Sequence, residues 1–448
     1  MTFFDYLMIS VVTFLLASAV AKAAPLAPLR IGAGEGPEIE LESGSMRIPG
    51  ITGKAIFGPA KTTLPAGCLK SSGTIGFYLW SENNLRPLSM GEKEEAQLLS
   101  AEGLELGLVQ SDNDIRIPFD IGPFRANGQL THIKAKRWYH IAYTWDSSKK
   151  AMTFHLNGVP QGNPYSRTRE GEIAEAAMEA RIGAADFAID GLCFWPRPLS
   201  TEEIQSEVAE LLPLGEEGMV HHTKKLDVAS LRGELLYECK FDSETKLKDW
   251  VMEGPAQVKI EEGRLIYSNP EGHAVYWLKK QFPSDILIEW QFAPTQKEGL
   301  TIIFFAARPS DGKGDVLRPD LAPRDGTFVQ YTKGDTDSYH CSYFTYQRGS
   351  VNLRKNSGFK LLAIGPNIIG PEHIGKLQDC FLVKRGGHII VGMNGRVNLE
   401  HDDSHGPYGP QHGGGMVGLR QMAHTVTGIY DNFRVWSLAP GAKISGRE

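Results

Sequence analysis

IIVGMNGRVNL (389–399) sets two apolar-rich runs on either side of Asn394-Gly395. Asn-Gly in that setting is the strongest short hairpin signal, because both residues tolerate positive φ. MTFHLNGVPQG (152–162) has the same form around Asn157-Gly158, and the neighbouring segments recur in the same order. GTIGFYLW (73–80) and WYHIAYTWD (138–146) precede the first turn and AIDGLCFWPRPLS (188–200) follows it; DILIEWQF (285–292), DCFLVKRGG (379–387) and IYDNFRVWSLAP (429–440) surround the second. The Asp of the closing segment comes 33 residues after the first Asn (157 to 190) and 37 after the second (394 to 431). Short alternating runs bounded by Gly, Pro, Asn and Asp, with almost no long helical periodicity, predict an all-β protein made of two copies of one sandwich.

The 448 residues suit two domains, and 41% hydrophobic with 22% charged residues is ordinary globular composition. Lys and Arg number 47 against 53 Asp and Glu, with no basic run to follow a phosphate backbone, so nucleic acid is not an expected partner. An apolar run from Leu7 to Ala21 ends in Ala21-Lys22-Ala23, an A-x-A cleavage pattern. Residues 1–23 therefore read as a signal peptide, with a secreted, periplasmic or cell-surface protein and no stable membrane insertion after cleavage. The leading segment carries Asp5 and lacks Lys and Arg, which leaves an uncleaved anchor as the alternative. Five widely spaced cysteines without a C-x-x-C pair exclude a zinc ribbon and a disulfide scaffold, and leave open one or two disulfides or buried free thiols.

The expected organisation is a first sandwich over 30–212, a linker over 213–234 and a second sandwich over 235–438. In STEEIQSEVAELL, Ser200 or Thr201 caps a short helix with Ile204, Val208 and Leu211 on one face.

GTIGFYLW, RWYHIAYTWD, FHLNGVPQG and IDGLCFWPRPLSTEEI resemble the laminin-G-like or concanavalin A-like jelly rolls of secreted bacterial proteins. GDTDSYHCSYFTY, NLRKNSGFKLLAIGP, NGR, GGGMVGLRQM and YDNFRVW resemble the YesU-like family, a concanavalin A-like fold of unassigned function found near genes for polysaccharide breakdown. The resemblance implies two tandem concanavalin A-like (laminin-G-like) jelly-roll sandwiches in a carbohydrate context, with a polysaccharide or oligosaccharide as partner.

If residues 339–346 and 351–356 form a hairpin closed by Gln347-Arg348-Gly349-Ser350, then Tyr343 faces Arg354 and Cys341 faces Asn356. Alternation puts Phe344, Tyr346, Val351 and Leu353 in the core and Tyr339, Tyr343, Asn352 and Arg354 on a groove face, where flat rings and fixed donors suit sugars. For elimination at a uronic acid, Tyr343, Arg354 and His340 are the catalytic candidates: a cation to hold the carboxylate and a Tyr or His to move protons. Parity places His340 with the core, near the strand end. Tyr339, Asn352, Arg420 and Gln421 are the substrate-binding candidates, although one of the adjacent pair Arg420-Gln421 must face the core. A glycosidase needs two carboxylates at set separation, and no E-x-D-x-x-E strand is present.

No cofactor is expected. Asp402 and Asp403 are weak candidates for a structural Ca²⁺, but NLEHDDSHGPYGPQHGGG (398–415) reads better as a glycine-rich loop at the groove mouth. Asp431, like Asp190, is expected to fix the turn before its strand. Trp138 and Trp195 read as core. The functional classes left open are a polysaccharide lyase or hydrolase, a non-catalytic glycan-binding protein, and an adhesion or scaffold protein.

Overall fold

The computed structural model describes residues 27–31, 36–162, 167–168, 170–208, 212, 217–220, 224–345, 349–367 and 369–444. The signal-peptide expectation, Leu211, Tyr346 and Arg348 lie outside the described residues.

Four antiparallel sheets form two sandwiches, and the strand order is repeated. One sheet of the first sandwich runs Val159–Pro160, Ala151–Leu156, Trp138–Asp146, Gly73–Ser81, Phe187–Trp195, Lys54–Phe57, Met46–Pro49, with Leu29–Ile31 also pairing to Phe187–Trp195. Its counterpart runs Arg396–Asp402, His388–Met393, Gln378–Arg385, Ile286–Pro294, Thr427–Leu438, Arg264–Ser268, Gln257–Glu261, with Arg232–Cys239 also pairing to Thr427–Leu438. The facing sheets match as well: Phe124–Leu130, Ile115–Ile121, Leu104–Ser111, Lys93–Ala101, Met178–Ile182, Ala60–Leu64 and Glu40–Leu41 correspond in order to Lys360–Pro366, Ser350–Asn356, Thr336–Phe344, Thr301–Pro309, Gly415–Gln421, Ala274–Phe282 and Trp250–Glu253.

The copies share chemistry as well as order. Asn157 and Asn394 both sit at positive φ (48° and 51°). Each side-chain oxygen accepts from a backbone N–H on the adjacent strand, His140 N at 2.8 Å and Asp379 N at 3.0 Å. The closing-strand Asp departs from expectation: Asp190 and Asp431 lie within their strands, at a bulge, and not in a preceding turn. Each is followed by a left-handed residue, Gly191 (φ 59°) or Asn432 (φ 49°). The extra residue lets Ile189 and Leu192, and likewise Tyr430 and Phe433, enter the core although three positions apart.

Each sandwich has its own core, with Trp145 in the first and Trp290 in the second. Trp195 is buried as expected, but Trp138 is only half-buried and faces its cross-strand neighbour Trp80. All five cysteines are free thiols, and four are buried. Ser200 and Glu203 form a capping box on the helix Thr201–Glu207, with Ile204 buried. No helix among the described residues is long and apolar enough to cross a membrane.

The chain between the copies joins them. Glu217 is enclosed, within 3.2 Å of Arg137 and accepting from Tyr139 Oη at 3.1 Å. Met219 packs on Leu361 and Ile364 of the second sandwich.

Candidate functional site

Two polar faces of the second sandwich hold the candidate chemistry, and they differ in access. The first carries the residues picked out in sequence. Its hairpin register is three residues from the expected one: Tyr339 pairs with Lys355, His340 with Arg354 and Cys341 with Leu353. An odd slip exchanges the faces of one strand relative to the other. Tyr343 (2% exposed) and Tyr339 (0%) therefore lie in the core beside Val351 and Leu353, while His340 shares the outer face with Arg354 and Asn352. Phe344 is in the core, as expected.

Tyr343 Oη donates to Tyr430 Oη at 3.1 Å, and burial raises both phenols. Tyr339 Oη donates to Asp403 Oδ2 at 2.6 Å, and Lys355 Nζ donates to the same oxygen at 2.7 Å and to Gly409 O at 3.0 Å. Asp403 thus anchors the glycine-rich loop through a buried ion pair. Asp402 is exposed and accepts from Ser404 N, so the two carboxylates do not converge on one point. Among the described residues no group of three or more His, Cys, Asp or Glu side chains is placed to hold a metal.

The outer face is covered twice. Chain 310–333 folds over one half, packing Val316, Leu317, Phe328 and Tyr331 on Trp277, Ile302 and Phe304. Arg420 lies beneath it, fully buried, donating to Gly326 O at 2.9 Å and stacked on Phe328 and Tyr331; burial lowers its guanidinium to about 10. Gln421 turns into the core, where Tyr267 O and Asn269 Oδ1 accept from it, so the adjacent pair divides between the faces.

The other half is covered by the first sandwich. Arg354 (4% exposed) donates to Asn113 O (3.3 Å), Phe359 O (2.9 Å) and Asp114 Oδ2 (3.3 Å), and stacks 3.9 Å from the Phe359 ring centroid. Asn352 donates to Gln129 Oε1 (3.0 Å). Burial would raise the Asp114 carboxyl, but Arg354, Arg116 and the Gln129 amide outweigh it and hold it below the usual range. His340 sits between the Phe304, Phe328 and Phe359 rings with Nδ1 against the Asn356 amide at 2.9 Å. Burial, with the Arg354 and Arg420 charges, holds its imidazole well below its usual range, so it is neutral. The expected open groove on this face is replaced by an interdomain contact.

The second face is open, and the sequence reading missed it. In Ile286–Pro294, Trp290 points inward, so Glu289 and Gln291 point outward; the neighbouring strands add Asp379, Asn432 and Arg434. Gly392 leaves room for the Phe381 ring, because a Cβ there would lie 2.2 Å from Phe381 Cζ. Leu226 donates its N–H to Gly395 O, which lays chain 226–228 along the Asn394-Gly395 turn as a wall. The resulting cleft has a volume of about 400 Å³, within the range of ligand pockets.

Its floor is a hydrogen-bonded row. Arg434 Nη2 donates to Asn432 Oδ1 (3.3 Å), Asn432 Nδ2 to Gln291 Oε1 (2.9 Å), and Gln291 Nε2 to Asp379 Oδ1 (2.8 Å). Arg232 holds Glu289 with a two-pronged contact, both distances 2.8 Å. Amides and charged groups fixed in this way keep their orientation before a ligand arrives. The outward parity of Glu289, Gln291, Asp379 and Arg434 was the sequence signal that could have located them.

The repeated sheet order and buried cores define a pair of concanavalin A-like sandwiches, the second bearing an open polar cleft. The Concanavalin A-like lectin/glucanases superfamily model matches residues 62–205, and Domain of unknown function (DUF1961) matches residues 234–435. "Uncharacterized protein YesU" of Bacillus subtilis (strain 168) is 34% identical over 212 residues, covering 45% of this chain and 96% of that protein. The chain belongs to the YesU family through its second sandwich. Among solved structures, it is similar to a Bacillus subtilis protein of unknown function with a galectin-like fold, at 34% identity, 46% of this chain, 98% of that chain and a TM-score of 0.44. It is also similar to the carbohydrate-binding module CBM66 from Bacillus subtilis, at 13% identity, 42% of this chain, 96% of that chain and a TM-score of 0.30.

Proposed function

We propose that the protein binds a polysaccharide or oligosaccharide through the open cleft of the second sandwich, in a secreted or cell-surface setting. The observation that carries this reading is the row Arg434, Asn432, Gln291 and Asp379 on the cleft floor. Fixed amides and a carboxylate offer alternating donors and acceptors, the complement of adjacent sugar hydroxyls. The superfamily matched by the first sandwich is named for lectins and glucanases, which accords with glycan handling. The apolar run before Ala21-Lys22-Ala23 supports export.

Binding is favoured over cleavage. Tyr343, Arg354 and His340, the types that elimination needs, are enclosed, and their hydrogen bonds are directed to protein groups. The test is retention of the purified full chain on a panel of immobilised polysaccharides, compared with Gln291→Ala and Asp379→Asn. The expected result is retention by at least one polymer, weakened about tenfold or more in both variants, whose melting stays near the parent's. Retention by no polymer, or equal retention by parent and variants, overturns the reading.

A further inference from the structure

A smaller pocket lies where the two sandwiches meet, separate from the cleft. Its volume is about 160 Å³, and it is lined by Arg86, Thr131 and His132 of the first sandwich and by Leu361, Leu362, His401, Pro407 and Tyr408 of the second. The glycine-rich loop 398–415, which the cleft does not use, supplies three of these residues. The lining divides by chemistry. Leu361, Leu362 and Pro407 give an apolar side; Arg86, His132, His401, Thr131 and Tyr408 give a polar side without an acidic residue.

Arg86 and Tyr408 line the same pocket, yet the Arg86 guanidinium makes no hydrogen bond or ion pair among the described residues. Arg86 is exposed, and a guanidinium that lines a cavity with no carboxylate in its lining is an unfilled fork for an incoming one. Lys360 Nζ, 5.9 Å from the Tyr408 ring centroid, adds positive charge beside the pocket and is held by the Leu88 and Asp112 carbonyls. The volume exceeds the space of several waters and suits one sugar ring and not a chain of them.

We infer that this interdomain pocket is a second binding site, taking a single carboxylate-bearing sugar unit of the hexuronate class, with its carboxylate on Arg86 and a ring face against Leu361, Leu362 and Pro407. The choice of a sugar as the carboxylate's carrier rests on the glycan reading above; the charge preference rests on the lining alone. The site requires both sandwiches, so a ligand here links them.

Titration calorimetry of the full chain with sodium glucuronate, methyl glucoside, sodium acetate and inorganic phosphate tests it. Saturable glucuronate binding is expected, with no binding of methyl glucoside and weaker binding of acetate and phosphate. Arg86→Ala weakens glucuronate at least tenfold, and Arg86→Lys, which keeps the charge but loses the fork, weakens it less. Both variants should melt with the parent, because Arg86 has no side-chain hydrogen bond or ion pair to lose among the described residues. No saturable glucuronate binding, or equal binding by Arg86→Ala, overturns the inference; acetate or phosphate binding as tightly as glucuronate reduces the site to a simple anion site and overturns the sugar assignment. The two readings fail separately. Glucuronate insensitive to Arg86→Ala strikes the pocket alone, while polymer retention insensitive to Gln291→Ala strikes the cleft alone.

Discussion

Replacing Arg354 with Ala removes one of the charges that join the two sandwiches. Arg354 and Asp114 are 3.3 Å apart with both side chains almost fully enclosed, so the substitution leaves a buried carboxylate short of a partner. Breaking such a pair costs about 3–5 kcal/mol when the survivor is left bare. Asp114 is not bare: Arg116 Nε stays at 2.8 Å and Gln129 Nε2 at 2.5 Å. The loss of the Phe359 stack and of two carbonyl hydrogen bonds works the other way. The expected destabilisation is therefore about 2–4 kcal/mol. Urea unfolding of Arg354→Ala, Asp114→Ala and the double variant measures it, and the cycle isolates the pair. A coupling above about 1 kcal/mol is expected for two groups in direct contact. A coupling below about 0.5 kcal/mol, or a loss under about 1 kcal/mol for Arg354→Ala, would refute the view that this arginine is interdomain glue.

Three further outcomes follow from the packing. Burial holds His140, His155 and His412 at about 4, below the unfolded value of roughly 6.5. The unfolded chain binds more protons between those values, so stability should fall as pH drops from about 6.5 to about 4, by up to ~3 kcal/mol per histidine; a flat unfolding free energy across that window contradicts it. Gly392→Ala puts a Cβ 2.2 Å from both Arg396 O and Phe381 Cζ, and a melting shift worth about 1–3 kcal/mol of destabilisation is expected, against none if the ring yields freely. A thiol reagent should find five reactive cysteines in denaturant and at most the half-buried Cys68 in the native protein; fewer than five in denaturant would reveal a disulfide.

The fold was legible because its signals are local. Asn157-Gly158 and Asn394-Gly395 demand left-handed backbone, and alternation around them assigns faces without further information. The hairpin register was harder to read. Its strands end at Phe344 and begin again at Ser350, a longer connection than the four residues assumed, and bulges in Thr301–Pro309 shift the pairing beyond it. One odd slip was enough to move Tyr339 and Tyr343 from the expected groove into the core and to bring His340 out beside Arg354. The covering of that face had no local signal at all, since Asn113, Asp114 and Gln129 lie more than 200 residues from Asn352 and Arg354 and meet them only through tertiary packing. The open cleft was readable in part: Glu289 and Gln291 alternate with Trp290, but nothing in sequence sets chain 226–228 against Gly395.

The most direct test of the account is a crystal of the full chain soaked with an oligosaccharide cut from whichever polymer retains it. Sugar density is expected in the open cleft, over Gln291, Asp379 and Asn432, with the contact between Arg354 and Asp114 undisturbed. Density on the face of His340 and Arg354, with the first sandwich displaced from it, would contradict the account.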